Sequence, residues 1–303
     1  MKISRKSSSV FFGRLFQSIP TYLISWLEIF FKKGHVKRYP LIILVSPPRS
    51  GSTLTYQILS RGTIALYLTN LWNVLYAIPI IGGLLSINSK SKRRNFTSNR
   101  GLVAGMYGES EGLKFWDHWT SQGLEESMNR LSVSKIKYIR KVFGRLTSKD
   151  YPMVTAYLGH SLSIDKLRKI FPGCMFIYLK RDKLSNIYSM YNVGKEFSWF
   201  SLKPKGWKET LSMSKHERFV WQYNTIVNKI EREIKESDTL IVNYEDICSD
   251  PHDFLRNVQD FAKNKQINVR LDLGNIPNRF EVSKISSSYD PDSKKIYDII
   301  KDE

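Results

Sequence analysis

Two short stretches of this chain carry residues whose types and spacing suit the binding of tetrahedral anions. The first is Arg49-Ser50-Gly51-Ser52-Thr53, entered through Ser46-Pro47-Pro48. It combines a cation, three hydroxyls and a glycine that lets backbone N–H groups approach a ligand closely. The second is Arg181-Asp182, with Ser189 eight residues after the arginine. A guanidinium grips a phosphate dianion in a two-pronged fork, and a serine hydroxyl can cap a remaining oxygen. Taken singly, the first is compatible with an ordinary strand–turn–helix and the second with a surface ion pair.

The flanking residues say what must position them. Leu41 to Val45 is a short, β-branched apolar run that reads as a buried strand. Pro47 and Pro48 end it, since neither has an N–H to offer a ladder. Leu54, Ile58 and Leu59 then fall on one helical side, so Gly51 to Thr53 opens a helix. Its first N–H groups have no intrahelical acceptor and its positive dipole end faces the turn, which makes an anion cradle. Met175 to Leu179 is a second buried strand running into Arg181. Eight residues return nearly to one face of a helix, so Arg181 and Ser189 can look into one crevice. Parallel sheets bind ligands at this edge.

The remaining pattern alternates strands with helices. Met153 to Tyr157 and Thr239 to Asn243 read as strands. Helical spacing is read over Leu124 to Phe143, Leu162 to Ile170 and Pro251 to Ala262, and most clearly over Ser214 to Glu236. In the last, Phe219, Tyr223, Ile226, Ile230 and Ile234 form the apolar stripe. Thr63 to Leu85 carries no charge but contains Asn70, Asn73 and Pro79, with Gly82-Gly83 following. It reads as a buried helix plus loop, broken at the proline and glycines, with immersion in a membrane as the alternative. The polar tail after Asn275 ends in a short helix. These elements predict an α/β fold, P-loop-like and three-layered, with a central parallel sheet flanked by helices.

The first motif is not a nucleoside triphosphate loop. Aligned on Gly51, Ser46 stands for the first glycine and Ser52 for the lysine, and the cation has moved back to Arg49. Ser-Pro-Pro-Arg-Ser-Gly-Ser-Thr-Leu instead resembles the 5′-phosphosulfate loop of sulfotransferases. Arg181 and Ser189 resemble that family's 3′-phosphate motif. Val242-Asn243-Tyr244-Glu245-Asp246 followed by Asp250-Pro251 resembles a further landmark, in which Tyr-Glu-Asp is mostly structural. Gln222 falls where many bacterial relatives carry a glutamine. The resemblance runs from about Tyr39 to Phe261, and the conjunction of both anion motifs in this order is what makes it specific.

The resemblance implies a donor, 3′-phosphoadenosine 5′-phosphosulfate, and in-line transfer of its sulfuryl group to a hydroxyl or amine. Arg49, Ser50, Gly51, Ser52 and Thr53 would hold the 5′-phosphosulfate, with Arg49 also acting in catalysis at the bridging oxygen. Arg181 and Ser189 would hold the 3′-phosphate. No metal is expected, because a sulfuryl group carries less charge than a γ-phosphoryl group. The acceptor needs a general base within hydrogen-bond reach. Glu109 and Glu111, in the turn-rich acidic segment Gly105 to Gly112, are the expected candidates, with His118 and His160 behind them. The chain departs from the family at Arg49, a lysine in cytosolic members, and at Lys183, often proline. It also has Ala156-Tyr157-Leu158-Gly159-His160 where Lys-Asn is commoner. No glycine-rich terminal loop follows, and Asn278 to Ser283 is the substitute expected to close over the nucleotide. Trp199, Phe200 and Trp207, beside Lys203 and Lys205, are either core or a stacking surface for the donor or acceptor.

With 303 residues, 47 Lys and Arg against 28 Asp and Glu, and net charge +19, the chain expects an acidic partner. Residues 1–38 form a basic amphipathic N-terminal segment, suited either to an anionic membrane surface or to packing on the domain. Residues 39–303 read as a single sulfotransferase-like domain. Lys90, Lys92, Arg93 and Arg94 form a short basic run, either a solvated loop or a rim of the acceptor cleft. The expected acceptor is a glycan or lipid-linked glycan, with no nucleic acid involved. Two cysteines, Cys174 and Cys248, far apart and outside any C-x-x-C, suit a reducing compartment. The expected location is cytoplasmic, with peripheral membrane contact left open. Two rival readings remain: a kinase-like phosphotransferase needing ATP and magnesium, and a non-enzymatic basic module for membrane or nucleic acid.

Overall fold

The computed structural model describes residues 37–87, 95–98, 101–121, 123–126, 132–197, 201–282 and 290–302. The amphipathic N-terminal segment up to residue 36, the run Lys90 to Arg94, Trp199, Phe200 and Ser283 lie outside them. Five parallel strands make the sheet: β1 (Leu41–Val45), β2 (Leu66–Tyr67), β3 (Met153–Thr155), β4 (Met175–Lys180) and β5 (Thr239–Asn243), in the order β2-β3-β1-β4-β5. The register puts Ile42 opposite Met175 and Val45 opposite Tyr178.

Strand periodicity decides which side chains meet which layer. Leu41, Ile43 and Val45 of β1 join one core with Phe176 and Tyr178, under α2 (Asn70–Val74), α4 (Leu113–Thr120), α5 (Val133–Leu146) and α6 (Ile164–Ile170). Phe115, Trp116, Phe143 and Phe171 fill that layer, all fully buried, with Trp116 stacked on Phe143. Ile42, Leu44, Met175, Ile177 and Leu179 point the other way. They meet α1 (Ser52–Gly62) and α10 (Pro251–Asn264). Burial on both faces explains why these strands read as continuous apolar runs. A third cluster joins α7 (Lys183–Gly194), α8 (Lys215–Glu233) and α11 (Pro291–Lys301) through Ile187, Met190, Phe219, Val220 and Ile296.

The expected α/β architecture is therefore present, with differences of detail. Residues 63–85 do break ahead of Pro79, where α2 ends at Val74 and turns occupy 75–78, but no loop follows the proline. A helix, α3 (Pro79–Ile87), begins there, because proline is preorganised for a first helical position. It runs through Gly82 and Gly83, where a Cβ would meet Trp72 at 2.8 Å and Leu146 at 2.4 Å. The glycines thus admit close packing rather than ending the helix. The same stretch also holds β2, too short to show a period. The helix expected over 124–143 begins only at Val133; Leu124 and Glu126 exchange backbone hydrogen bonds with Lys203 instead. Tyr244–Ser249 forms a short helix, α9, directly after β5.

Among the described residues no helix is long and apolar enough to cross a membrane. Cys174 and Cys248 are both free and buried.

Candidate functional site

The two anion-suited stretches leave neighbouring strands. Arg49 follows β1, Arg181 follows β4, and the strands are paired in parallel. Arg181 Nη1 donates to the Arg49 carbonyl at 2.9 Å, and Arg49 Nε donates to Ser189 Oγ at 3.3 Å. Arg49, Gly51, Ser52, Thr53, Arg181 and Ser189 all line one cleft of about 450 Å³, a size suited to a small-molecule ligand. Ser50 does not line it. Burial, and then the neighbouring Arg181, lowers the Arg49 pKa from its ordinary value. Holding two guanidiniums this way is electrostatically unfavourable until an anion enters between them.

The loop is fixed by contacts that spacing did not announce. Gly51 has φ +92°, and a Cβ there would lie 2.2 Å from the Tyr244 ring. That ring also underlies the Arg181 guanidinium, 5.1 Å from its centroid. Ser50 is fully buried: its hydroxyl donates to the Pro47 carbonyl and accepts from Asn186 Nδ2 at 2.6 Å. The Ser50 hydroxyl therefore ties the loop to α7. Ser161 accepts from the Ser46 N–H at 2.9 Å and donates to the Ser46 carbonyl at 2.8 Å, pinning the end of β1. Asp182 caps α7 by accepting from the Ser185 N–H, and its own N–H donates to Glu245. Tyr244 also lines the cleft, so the Tyr-Glu-Asp landmark is both brace and wall.

The two glutamates separate. Glu111 lines the cleft, and its Oε1 approaches Gly101 from the side on which Thr53 Oγ1 lies. Burial raises its pKa to about 7, against the lowering effect of a hydrogen bond from the Leu158 backbone. Glu109 is not brought into this cleft. Its carboxylate is taken up in a buried fork with Arg61, at 2.6 and 3.0 Å, so the sequence expectation that treated both alike is corrected. The histidines are elsewhere. His160 is fully buried between Trp116 and Tyr157, and desolvation drives its pKa down to about 3. His118 packs on Tyr76 and Trp119. Trp207 is engaged by Lys203, 4.5 Å from the ring centroid, and by Glu125, away from the cleft lining. Gln222 is buried and donates to the Leu202 carbonyl at 2.6 Å, beside cleft-lining Ser201. No group of three or more His, Cys, Asp or Glu suited to a metal occurs among the described residues.

The pKa values of Glu111 and His160 give opposed pH dependences. Glu111 is raised from 4.5 to about 7 on folding, so its contribution to stability is lost as pH rises through that window. His160 is lowered from 6.5 to about 3, so its contribution is lost as pH falls through that one. Where the windows overlap the two slopes cancel. Glu111→Gln is expected to expose the histidine slope. Urea unfolding from pH 5 to 6 should then show stability rising by about 1.4 kcal/mol per unit relative to wild type. Parallel curves for the two proteins would contradict the burial of Glu111.

Comparison with known proteins adds the following. The sulfotransferase family model matches residues 40–265. The solved structure of sulfotransferase STF9 from Mycobacterium avium is similar at TM-score 0.52 and 17% identity, covering 81% of this chain and 69% of that one. STF1 from Mycobacterium tuberculosis aligns at TM-score 0.44 and 15% identity, over 89% of this chain and 82% of that one. A sulfotransferase from Alicyclobacillus acidocaldarius aligns at TM-score 0.42 and 13% identity, over 88% and 92%. The first shows a shared fold; the other two are weaker likenesses. No curated protein matches the chain.

Proposed function

Because the chain belongs to the sulfotransferase family, we propose that residues 39–303 transfer a sulfuryl group from 3′-phosphoadenosine 5′-phosphosulfate to an acceptor hydroxyl or amine. The observation that carries this reading is the meeting of Arg49 and Arg181, distant in sequence, in one cleft. A nucleotide bearing an anionic group at each end would be held between them. Arg49 and the N–H groups at the start of α1 would grip the 5′ end, and Arg181 with Ser189 the 3′-phosphate.

In this reading the chain supplies alignment and positive charge at the leaving oxygen. Arg49 is the cation nearest the start of α1 on the cleft wall, and Ser52 and Thr53 add hydroxyl donors. Glu111 takes the acceptor proton. A carboxylate whose pKa lies near neutrality is matched to that task, being deprotonated in a useful fraction yet basic enough to accept. Glu109 is left out of the reading because Arg61 occupies it.

The acceptor is a lipid-linked glycan in this proposal rather than a free anionic one. Leu102, Met106 and Tyr107, on the segment leading to Glu111, are exposed. That segment, residues 101–113, contains no lysine or arginine in a chain of net charge +19. An apolar, cation-free approach favours an acceptor with an apolar body over a polyanion.

Calorimetry with adenosine 3′,5′-bisphosphate in metal-free buffer tests the donor assignment. The expected result is micromolar binding that ATP does not match at the same concentration. ATP binding that depends on magnesium, or no binding of the bisphosphate at all, overturns it.

A further inference from the structure

Resting on the reading of Glu111 as the base, we infer that Arg61, which lies outside the cleft, is a positioning residue that sets where Glu111 stands relative to the donor loop. Arg61 sits near the C-terminal end of α1, the helix whose N-terminus carries Ser52 and Thr53. It is buried, and its guanidinium reaches two pieces of chain at once. Nε and Nη2 form the fork with Glu109, Nη1 donates to the Asn95 carbonyl at 3.0 Å, and the plane lies 4.7 Å from the Phe96 ring centroid. Ser60 adds a hydroxyl donor to Glu109 at 3.3 Å.

The consequence for Glu111 follows from backbone geometry. Glu109 bridges Thr69 in antiparallel fashion, and the Ser110 N–H donates to the Leu68 carbonyl. This segment is therefore extended alongside Leu68 and Thr69, and side chains two apart in extended chain share a face. Glu109 and Glu111 line the same small recess with Ser52, Thr53 and Tyr56. Anchoring Glu109 to α1 by a rigid two-point fork fixes the sliding and tilt of the segment, and with it the carboxylate two residues on. The same guanidinium holds Asn95 and Phe96 ahead of Ser98 and Gly101, both of which line the cleft. Arg61 thus ties the acceptor side of the cleft to the helix that builds the donor side.

Removing Arg61 alone would strand a buried carboxylate and endanger folding. The test is therefore the double variant Arg61→Met/Glu109→Met, which replaces the pair by apolar groups, beside Arg61→Lys. The probe is the Glu111 carboxyl itself, followed by carbon-13 NMR in protein labelled at glutamate and assigned by its loss in Glu111→Gln. The wild-type midpoint is expected near 7. In the double variant the loosened segment admits water, and the midpoint should fall by about one unit or more. Arg61→Lys should restore it in part. Affinity for adenosine 3′,5′-bisphosphate should stay within about threefold, since the donor groups are untouched. A folded double variant with an unmoved midpoint overturns the positioning role while leaving Glu111 as the base. A wild-type midpoint near 4.5 overturns the base assignment, and this inference with it. Loss of bisphosphate binding in the double variant overturns it as well, since Arg61 would then be serving the whole helix.

Discussion

Arg181→Ala is expected to weaken binding of adenosine 3′,5′-bisphosphate by about 100-fold or more, as read by calorimetry on folded protein. Truncating one partner of a buried, hydrogen-bonded charge pair costs about 2–5 kcal/mol, and about 1.4 kcal/mol is tenfold in affinity. The loss should exceed that of a single phosphate contact, because Arg181 also donates to the Arg49 carbonyl at 2.9 Å and stacks on Tyr244. Removing it should therefore loosen the loop proposed to grip the other end of the nucleotide. Arg181→Lys should recover only a small part, since an ammonium cannot hold a phosphate, a carbonyl and a ring face together. Arg49→Ala should weaken binding comparably and stop transfer. The assignment fails if either alanine variant binds within about threefold of wild type.

Gly51→Ala is expected to be the most damaging single-methyl change in the chain. Two penalties fall together. At φ +92° a Cβ is strained whatever space surrounds it, a cost of order 1–3 kcal/mol. The Cβ would also lie 2.2 Å from two Tyr244 ring carbons, and overpacking of this kind costs about 1–3 kcal/mol more. The ring cannot swing away freely, because Arg181 lies over it. The variant should lose about 3 kcal/mol of stability in chemical denaturation and nearly all bisphosphate affinity. Pairing it with Tyr244→Ala should return the steric part alone, leaving the backbone cost. Wild-type stability in Gly51→Ala would mean that the loop adopts another conformation.

The parts of this site that were legible in sequence are those where residue type and local period suffice. Leu41 to Val45 and Thr239 to Asn243 formed strands with the expected bounds. Arg181 and Ser189 came to one crevice as read, although Arg181 stands between β4 and the Asp182 cap of α7, so the strand end rather than an eight-residue helical return places it. What sequence could not supply was pairing across distance. Asn186 holding Ser50, Ser161 holding Ser46 and Arg61 holding Glu109 join residues 136, 115 and 48 positions apart. Each partner is an ordinary polar residue until the fold brings it to the other. Glu109 and Glu111 looked equivalent for the same reason, both being carboxylates in one acidic turn. The proline and glycines at 79–83 misled because their usual effect, helix breaking, yields to position and to close packing.

The sheet order has a further consequence for how the cleft can work. The arms that bear Arg49 and Arg181 spring from adjacent strands, β1 and β4, in register at Val45 and Tyr178. Separating them would mean unzipping the centre of the molecule. On the proposed function, a bisphosphate would enter a jaw whose span the sheet already sets. The opposite bank, where Glu111 stands, is tied to the same framework by the Arg61–Glu109 fork and by the Ser110 N–H on the Leu68 carbonyl. With both banks tied to one framework, the donor and acceptor sites proposed above would be set before either substrate arrives.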